Sequence, residues 1–524
     1  RCASFMLFFV LKYIMKHINR IRNRLEYGEK VLYFIYVFLF FCFLSLDAEN
    51  KKIRNRFADV KFYYYLCAVY ELFNQITLIK MKKTIVMTLA LLMAGCLSAG
   101  AQSIYHVSRE NGSNKNDGSK TAPFKNLQKA LDVADDGATI LVAEGNYFGM
   151  LNSGTIDIRK PVTIKGGYNG DFTERDVLKY KTLIQPSAES NGSAQGKGTM
   201  QITSIVAPGK QVVIDGLIFD RGNTISYNAR REGQPEGVET PMMNPIGTEG
   251  IGGPDLAEKV FTKESYMIYL NGDRGIVNTL DVVVRNCAFI NAPNYAINGL
   301  LKGAITVQNC IFVNVRMATM DVRGADPQNM TQVNFCDNTV LFAWSRLKDL
   351  ASMGYGFRLQ PGTCCTIQRN IFGCAVFSAI DRTHIDSDKN REAKRVDKCE
   401  DNIFFLNRVT DLTLPGGGML LRVKADDFDD VEAIDCRRNK SLKDPSLFKG
   451  KIDEAYLNGF LNVSYKEKTD YNPNSPANTF RQAMGMNMVG TMQSSVTMFA
   501  NRYPWQKALD LFGAVPNCGA QIPQ

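Results

Sequence analysis

Histidine is nearly absent from this chain: three occur in 524 residues, and only His106 and His384 come after Met81. No Cys-x-x-Cys pair occurs among the 13 cysteines, so a zinc centre lacks both of its usual ligand sources. Nine cysteines come after Cys96, an odd number set in apolar stretches such as NCAF and NCIF. They read as buried thiols acting as small hydrophobes rather than as a disulfide framework. No glycine-rich phosphate loop follows a strand, no Gly-x-Ser-x-Gly elbow is present, and no trimer-forming heptads argue for a structural spike.

Excess charge of one sign is also missing from most of the chain. The net charge of +10 falls mainly on residues 1–83, and residues 84–524 carry +1, which removes the electrostatic basis for nucleic-acid binding by the folded part. Residues 1–80 differ in kind: they hold none of the 18 prolines, one of the 42 glycines and 19 of the 54 aromatics. Met81 then opens MKKTIVMTLALLMAGCLSAGAQ, with a basic start, an apolar run and small residues at Ala99 and Ala101. That is the pattern of a secretory signal peptide, over 81–101. A signal there makes residues 1–80 read as a gene-model extension outside the fold. The rival reading is a membrane anchor, although the apolar run of residues 31–46 is shorter than the roughly 20 residues a spanning helix needs. Cleavage after Ala101 yields a soluble exported protein, whereas Met93-Ala94-Gly95-Cys96 is similar to a lipobox and would place a lipid anchor on Cys96. Either route puts the body, a monomer without a spanning segment, in a secreted, periplasmic or cell-surface setting that permits disulfides.

What the body does contain is short strands. Helical spacing shows once, where Phe124, Leu127, Ala130, Leu131 and Ala134 make one apolar face over 123–134. Thereafter ATILVAEG, KQVVIDGLIF, DVVVRNCAFIN, GAITVQNCIFVN, CTIQRNIFG and EDNIFFLN alternate and are broken by Gly, Asn and Asp. VRNCAFIN and VQNCIFVN are near copies, with Phe289 and Phe312 23 residues apart, and RNIF and DNIF repeat the theme at Phe372 and Phe404. Such a period is that of a stacked parallel solenoid, whose coils bury their inner faces only against their neighbours. Asn286 and Asn309 then occupy the same turn of successive coils, where side-chain amides can bond along the stack. The pattern lapses in an insertion over 220–265, whose Arg230 and Arg231 are candidates for ligand contact.

At this point the chain resembles a known group, the right-handed parallel β-helix proteins of the pectate-lyase-like superfamily (pectin lyase fold). YHVSRENGSNKNDGSKTAPFKNLQKALDVADDGATILVAEGNY, Tyr105 to Tyr147, looks like that group's first strand, glycine-rich turn, capping helix and first coil. IKGGYNGDFTERD and ALDLFGAVPNCGAQ are similar to a turn and a closing segment of secreted members. The resemblance implies an all-β, right-handed parallel β-helix over 102–440, with an N-terminal capping helix and irregular coils over 441–524 closing it. The fold hosts lyases, hydrolases, esterases and adhesins, so it implies little about activity. Adjacent aspartates with a Gly-His-Gly, a Trp-x-Asp-His and an Arg-x-Pro-x-x-Arg, which would mark particular enzymes, are all missing.

Aligning YLNG, LLKG, DVRG, FRLQPG, IDRT and LLRVK by their inward apolar residues builds an outward ladder. It carries Tyr269 and Asn271, then Leu300 and Lys302, Asp321 and Arg323, Arg358 and Gln360, Asp381, and Arg422 with Lys424. With rungs about 4.8 Å apart, the cations can track the carboxylates of an acidic polysaccharide. Lys302, Arg323 and Arg358 are the candidates for catalysis by β-elimination, Tyr269, Asn271, Gln360 and Arg422 for substrate contact, and Asp321 and Asp381 for holding a calcium ion. DRTHIDSDKN, with His384, Asp386 and Asp388, has the atoms for calcium or acid–base work, or is an Asp-rich turn. The alternative to a lyase is a surface protein that binds a glycan without cleaving it, and ordinary solvated residues along any soluble solenoid would look the same.

Overall fold

The computed structural model describes residues 103–149, 155–185, 198–220, 266–272, 275–292, 294–344, 354–416, 419–461, 463–464, 473–488, 493–494 and 502–523. The signal segment, Cys96 and Arg230 and Arg231 of the insertion lie outside these residues. The chain divides into Arg1–Ala101 and Gln102–Gln524, and all the described residues belong to the second unit.

That unit is a right-handed parallel β-helix. Each coil contributes a strand to three sheets in turn: Asn278–Arg285, Ala288–Ala292 and Ile297–Lys302 make one coil, and Ala304–Gln308, Ile311–Arg316 and Met320–Gly324 make the next. The first sheet has ten strands from Ile104–Val107 to Asp435–Arg437, and the second nine, from Gly145–Phe148 to Lys440–Ser441. The third runs from Ile156–Ile158 to Met320–Gly324 and resumes as Tyr355–Arg358, Ser378–Asp381 and Thr410–Leu414. Leu421–Val423 pairs antiparallel with this last strand, so the expected parallel rung there reverses direction. No helix among the described residues is long and apolar enough to cross a membrane.

Alternation sends Val282, Val284, Ile305, Val307, Val333 and Phe335 of the first sheet inward, where all are buried. From the second sheet, Phe289 pairs in register with Phe219 and Phe312, and their rings stack at 4.9 and 4.8 Å. The 23-residue repeat is this stack, each buried ring contributing about 1.5–3 kcal/mol. Between the first two sheets the chain turns through one left-handed residue per coil, Asn286, Asn309, Asp337, Arg369, Asp401 and Arg438. Asn309 Nδ2 donates to Asn286 Oδ1 at 2.7 Å, in agreement with the repeat. One residue further on, the buried Asn338, Asn370 and Asn402 and the half-buried Asn439 form a second file, each side-chain oxygen accepting from the amide of the preceding rung. The arginines at the left-handed position are held by aspartates one coil back, Arg369 by Asp337 and Arg438 by Asp401.

The expected helix is present as Leu127–Val133, with Leu127, Ala130 and Leu131 buried and Gln128 bonded to the backbone of Asp157. Residues beyond 441 do not simply close the end. They include the helices Glu454–Leu461 and Pro476–Met484 and lie along the outer face of the second sheet. There Ile218, Ile290, Ile311, Val313, Leu341 and Ile371 point outward and would otherwise meet water. Tyr503 exchanges hydrogen bonds with Asn291, Gln521 N donates to Asn309 Oδ1, Gly519 N donates to Arg369 O, and Arg502 pairs with Asp220.

Candidate functional site

The outward face of the third sheet brings most of the expected residues together, in a register partly different from the one the sequence suggests. Tyr269 lies opposite Asn298, and Asn298 opposite Asp321. Leu300, rather than Lys302, is the partner of Arg323. The reason is Gly299, which fills the inward position opposite Val322 with φ +140° and carries its backbone against Leu270. An alignment by apolar residues passes over a buried glycine and slips by two residues, which preserves the face but not the rung. Lys302 therefore pairs with Thr279 of the first sheet, away from the cluster. Its charge helps hold Asp326 below the usual carboxylate range, after hydrogen bonds from Asn329 and Gln328.

At the centre is Arg358, in register with Asp381. Its Nε donates to Asp381 Oδ2 at 2.8 Å, its Nη1 donates to the Tyr295 hydroxyl at 3.0 Å, and Asp321 lies 4.0 Å from Nη1. The Tyr355 ring packs on the guanidinium at 4.5 Å. Burial alone would lower the pKa of Arg358, but Asp381, Tyr295 and Asp321 outweigh it and hold the group above its ordinary value. Arg358 is thus a fixed cation and not a proton acceptor. Asp381 is fully buried and accepts from Thr383 N and Oγ1 as well, with His384 Nδ1 3.6 Å away. Burial raises its pKa, yet His384, Arg358 and Thr383 bring it below the usual range. Burial pushes Tyr295 and Tyr355 up to about 12 each.

Around this core Arg323 is exposed and lies 3.6 Å from Asp321, while His384 keeps 36 % of its side chain open. Tyr269 and Asn271 are half-exposed, with the Tyr269 ring 5.2 Å from Tyr266. Gln360 is buried, and neither its amide atoms nor the buried Thr413 hydroxyl has a hydrogen-bond partner among the described residues. Arg422 sits on the antiparallel strand opposite Thr413, its guanidinium 5.5 Å from the Phe377 ring.

Calcium does not fit these residues. The ion takes six to eight oxygen ligands, whereas the oxygens of Asp381 are engaged by Arg358 and Thr383 and a guanidinium stands between Asp381 and Asp321. Among the described residues no three His, Cys, Asp or Glu side chains converge. The Asp-rich segment is built as structure: Asp386 pairs with Arg391, and Asp388 caps the short helix Lys389–Glu392. Arg382 and Arg395 both bind the buried Asp397 at 2.7 Å. Nothing in the sequence marks Asn298 and Tyr295, and only their register and contacts reveal them. His384 is conspicuous as a rare histidine, but only its approach to Asp381 sets it apart from the turn around it.

A family described as a protein of unknown function (DUF1565) matches residues 110–240. No curated protein matches the chain. Among solved structures, a pectate lyase is 13% identical with a TM-score of 0.34, covering 65% of this chain and 80% of that one. A pectin methylesterase in complex with a hexasaccharide is 13% identical with a TM-score of 0.32, covering 65% and 90%. A rhamnogalacturonan lyase is 12% identical with a TM-score of 0.31, covering 68% and 92%. Likenesses this distant carry nothing about chemistry, and the strand registers define the fold by themselves.

Proposed function

We propose that this is an exported protein whose third face acts on an acidic polysaccharide by β-elimination. The observation that supports it best is Arg358, with a tenth of its side chain exposed, clasped by Asp381, Asp321 and Tyr295, beside a half-open His384 that Asp381 can orient. In this reading exposed Arg323 meets a uronate carboxylate, and Tyr269 and Asn298 continue the contact along the ladder. His384 takes the proton from the carbon next to that carboxylate, the glycosidic C–O bond on the neighbouring carbon breaks, its oxygen leaves with the electron pair and is protonated by water to a hydroxyl, and an unsaturated uronate is left. Arg358, kept protonated, steadies the charge that develops rather than removing the proton. This moves the acid–base role from Lys302 and Arg358 to His384.

The neighbouring rings of Tyr266, Tyr269 and Tyr295 favour a second reading, a glycan-binding protein without turnover. Ultraviolet absorbance of unsaturated uronate, with a panel of acidic polysaccharides, separates the two. Turnover that His384→Ala abolishes while retention in an affinity gel survives supports the lyase. Retention without turnover, weakened by Arg323→Ala, supports binding alone, and turnover indifferent to His384→Ala removes the acid–base assignment.

A further inference from the structure

The nine cysteines of the body are all free in this structure, yet they are not equivalent. Cys399 and Cys436 are in-register partners on the last two strands of the first sheet, Lys398–Glu400 and Asp435–Arg437. Both side chains point into the core, Cys399 fully buried and Cys436 half-buried at its margin. The neighbouring Cys436 thiol, followed by burial, pushes the Cys399 thiol up. In-register neighbours stand about 4.8 Å apart, inside the roughly 4.4–6.8 Å window of Cα separations that a disulfide spans.

We propose that Cys399 and Cys436 form a disulfide across the last two rungs when the protein meets a low-molecular-weight disulfide. Cys436, the accessible member, attacks a sulfur of the oxidant as thiolate and releases one thiol. Cys399 then attacks the mixed disulfide and releases the second, so two S–H bonds are exchanged for one S–S bond and the oxidant leaves as two thiols. The link closes a loop through residues 400–435 and ties down a strand of three residues that has one neighbour in its sheet among the described residues. A second neighbouring pair, Cys287 and Cys310, shows why this one is singled out. Both of its members are fully buried, whereas Cys436 is half-buried, so no oxidant reaches them.

The full chain is equilibrated with reduced and oxidised glutathione, alkylated under denaturing conditions and mapped by mass spectrometry. The expected result is one cross-linked peptide pair joining residues 399 and 436, with Cys287 and Cys310 recovered as alkylated thiols. The oxidised form should melt several degrees above the same protein treated with dithiothreitol. Cys436→Ala should melt with the reduced form and gain nothing from oxidation. Separate alkylated peptides for Cys399 and Cys436 after oxidation, or a cross-link joining any other pair, would overturn the proposal whether or not the third face binds a glycan.

Discussion

Replacing Arg358 by methionine tests the centre of the site as a physical object, independently of any substrate. Methionine keeps most of the stem volume and removes the charge. Asp381, fully buried, is then left with Thr383 and His384, and the Tyr295 hydroxyl loses its donor. Stranding a buried carboxylate in this way costs about 3–5 kcal/mol. Adding Asp381→Asn removes the stranded charge, so the double variant should be markedly more stable than the sum of the two single losses predicts, by about 2 kcal/mol. pH sharpens the contrast. In the wild type the folded pKa of Asp381 is depressed, so its contribution is present above the unfolded value and lost as pH falls through the folded one. In Arg358→Met burial has lost one of its opponents, with His384 and Thr383 remaining, so the folded pKa rises and the cost of the substitution grows with rising pH. Urea unfolding followed by circular dichroism, at neutral and mildly acidic pH, measures both effects. A loss below about 1 kcal/mol for Arg358→Met, or strict additivity in the double variant, would show that the guanidinium is not what holds Asp381.

Three further outcomes are expected from the packing. Asn370→Ala deprives Asn338 N of its acceptor and Phe335 O of a donor, both buried, and should cost about 2–4 kcal/mol by urea titration, with Asn309→Ala costing less because its file is half-exposed. Gly299→Ala places a Cβ 2.3 Å from Leu270 O at φ +140°, so the variant should lose several degrees of Tm or fail to fold. Asp386 and Glu392 resist the raising effect of burial, Asp386 through Arg391 and Asp388 N, Glu392 through Asp386 N and Arg382, and both pKa values lie below normal. Their stabilisation should therefore be lost as pH falls below about 4, and Asp386→Asn should flatten the decline of Tm with acid.

The sequence displays the solenoid because identical side chains stack on themselves: Phe289 on Phe312 and Asn286 on Asn309 are written as a visible repeat. The second asparagine file is equally legible in DN, RN, DN and RN, but in the first two coils Cys287 and Cys310 occupy its place and hide the continuity. The site is legible only where polar residues alternate with apolar ones. Asp321, Arg323, Arg358 and Asp381 converge as that alternation suggests, while Lys302 leaves the cluster because a glycine can serve as an inward residue. Tyr295 lies outside any strand, in a turn whose proximity to Arg358 only the third dimension supplies. The reversal at Leu421–Val423 has no local signature either, since three residues with one apolar neighbour on each side read alike in both directions.

The segment 502–523 changes what kind of folding problem this molecule presents. A solenoid with nearest-neighbour contacts alone can gain or lose coils one at a time from either end. Here one strip of chain grips rungs from Asp220 to Arg369, so the outer face of the second sheet is sealed only after residues hundreds of positions apart have met. Coils that emerge first in synthesis must wait with that apolar face uncovered, which delays full stability until residues 502–523 have been made. If the exported protein proposed above crosses a membrane before it folds, such a delay keeps it threadable until residues 502–523 lock the rest.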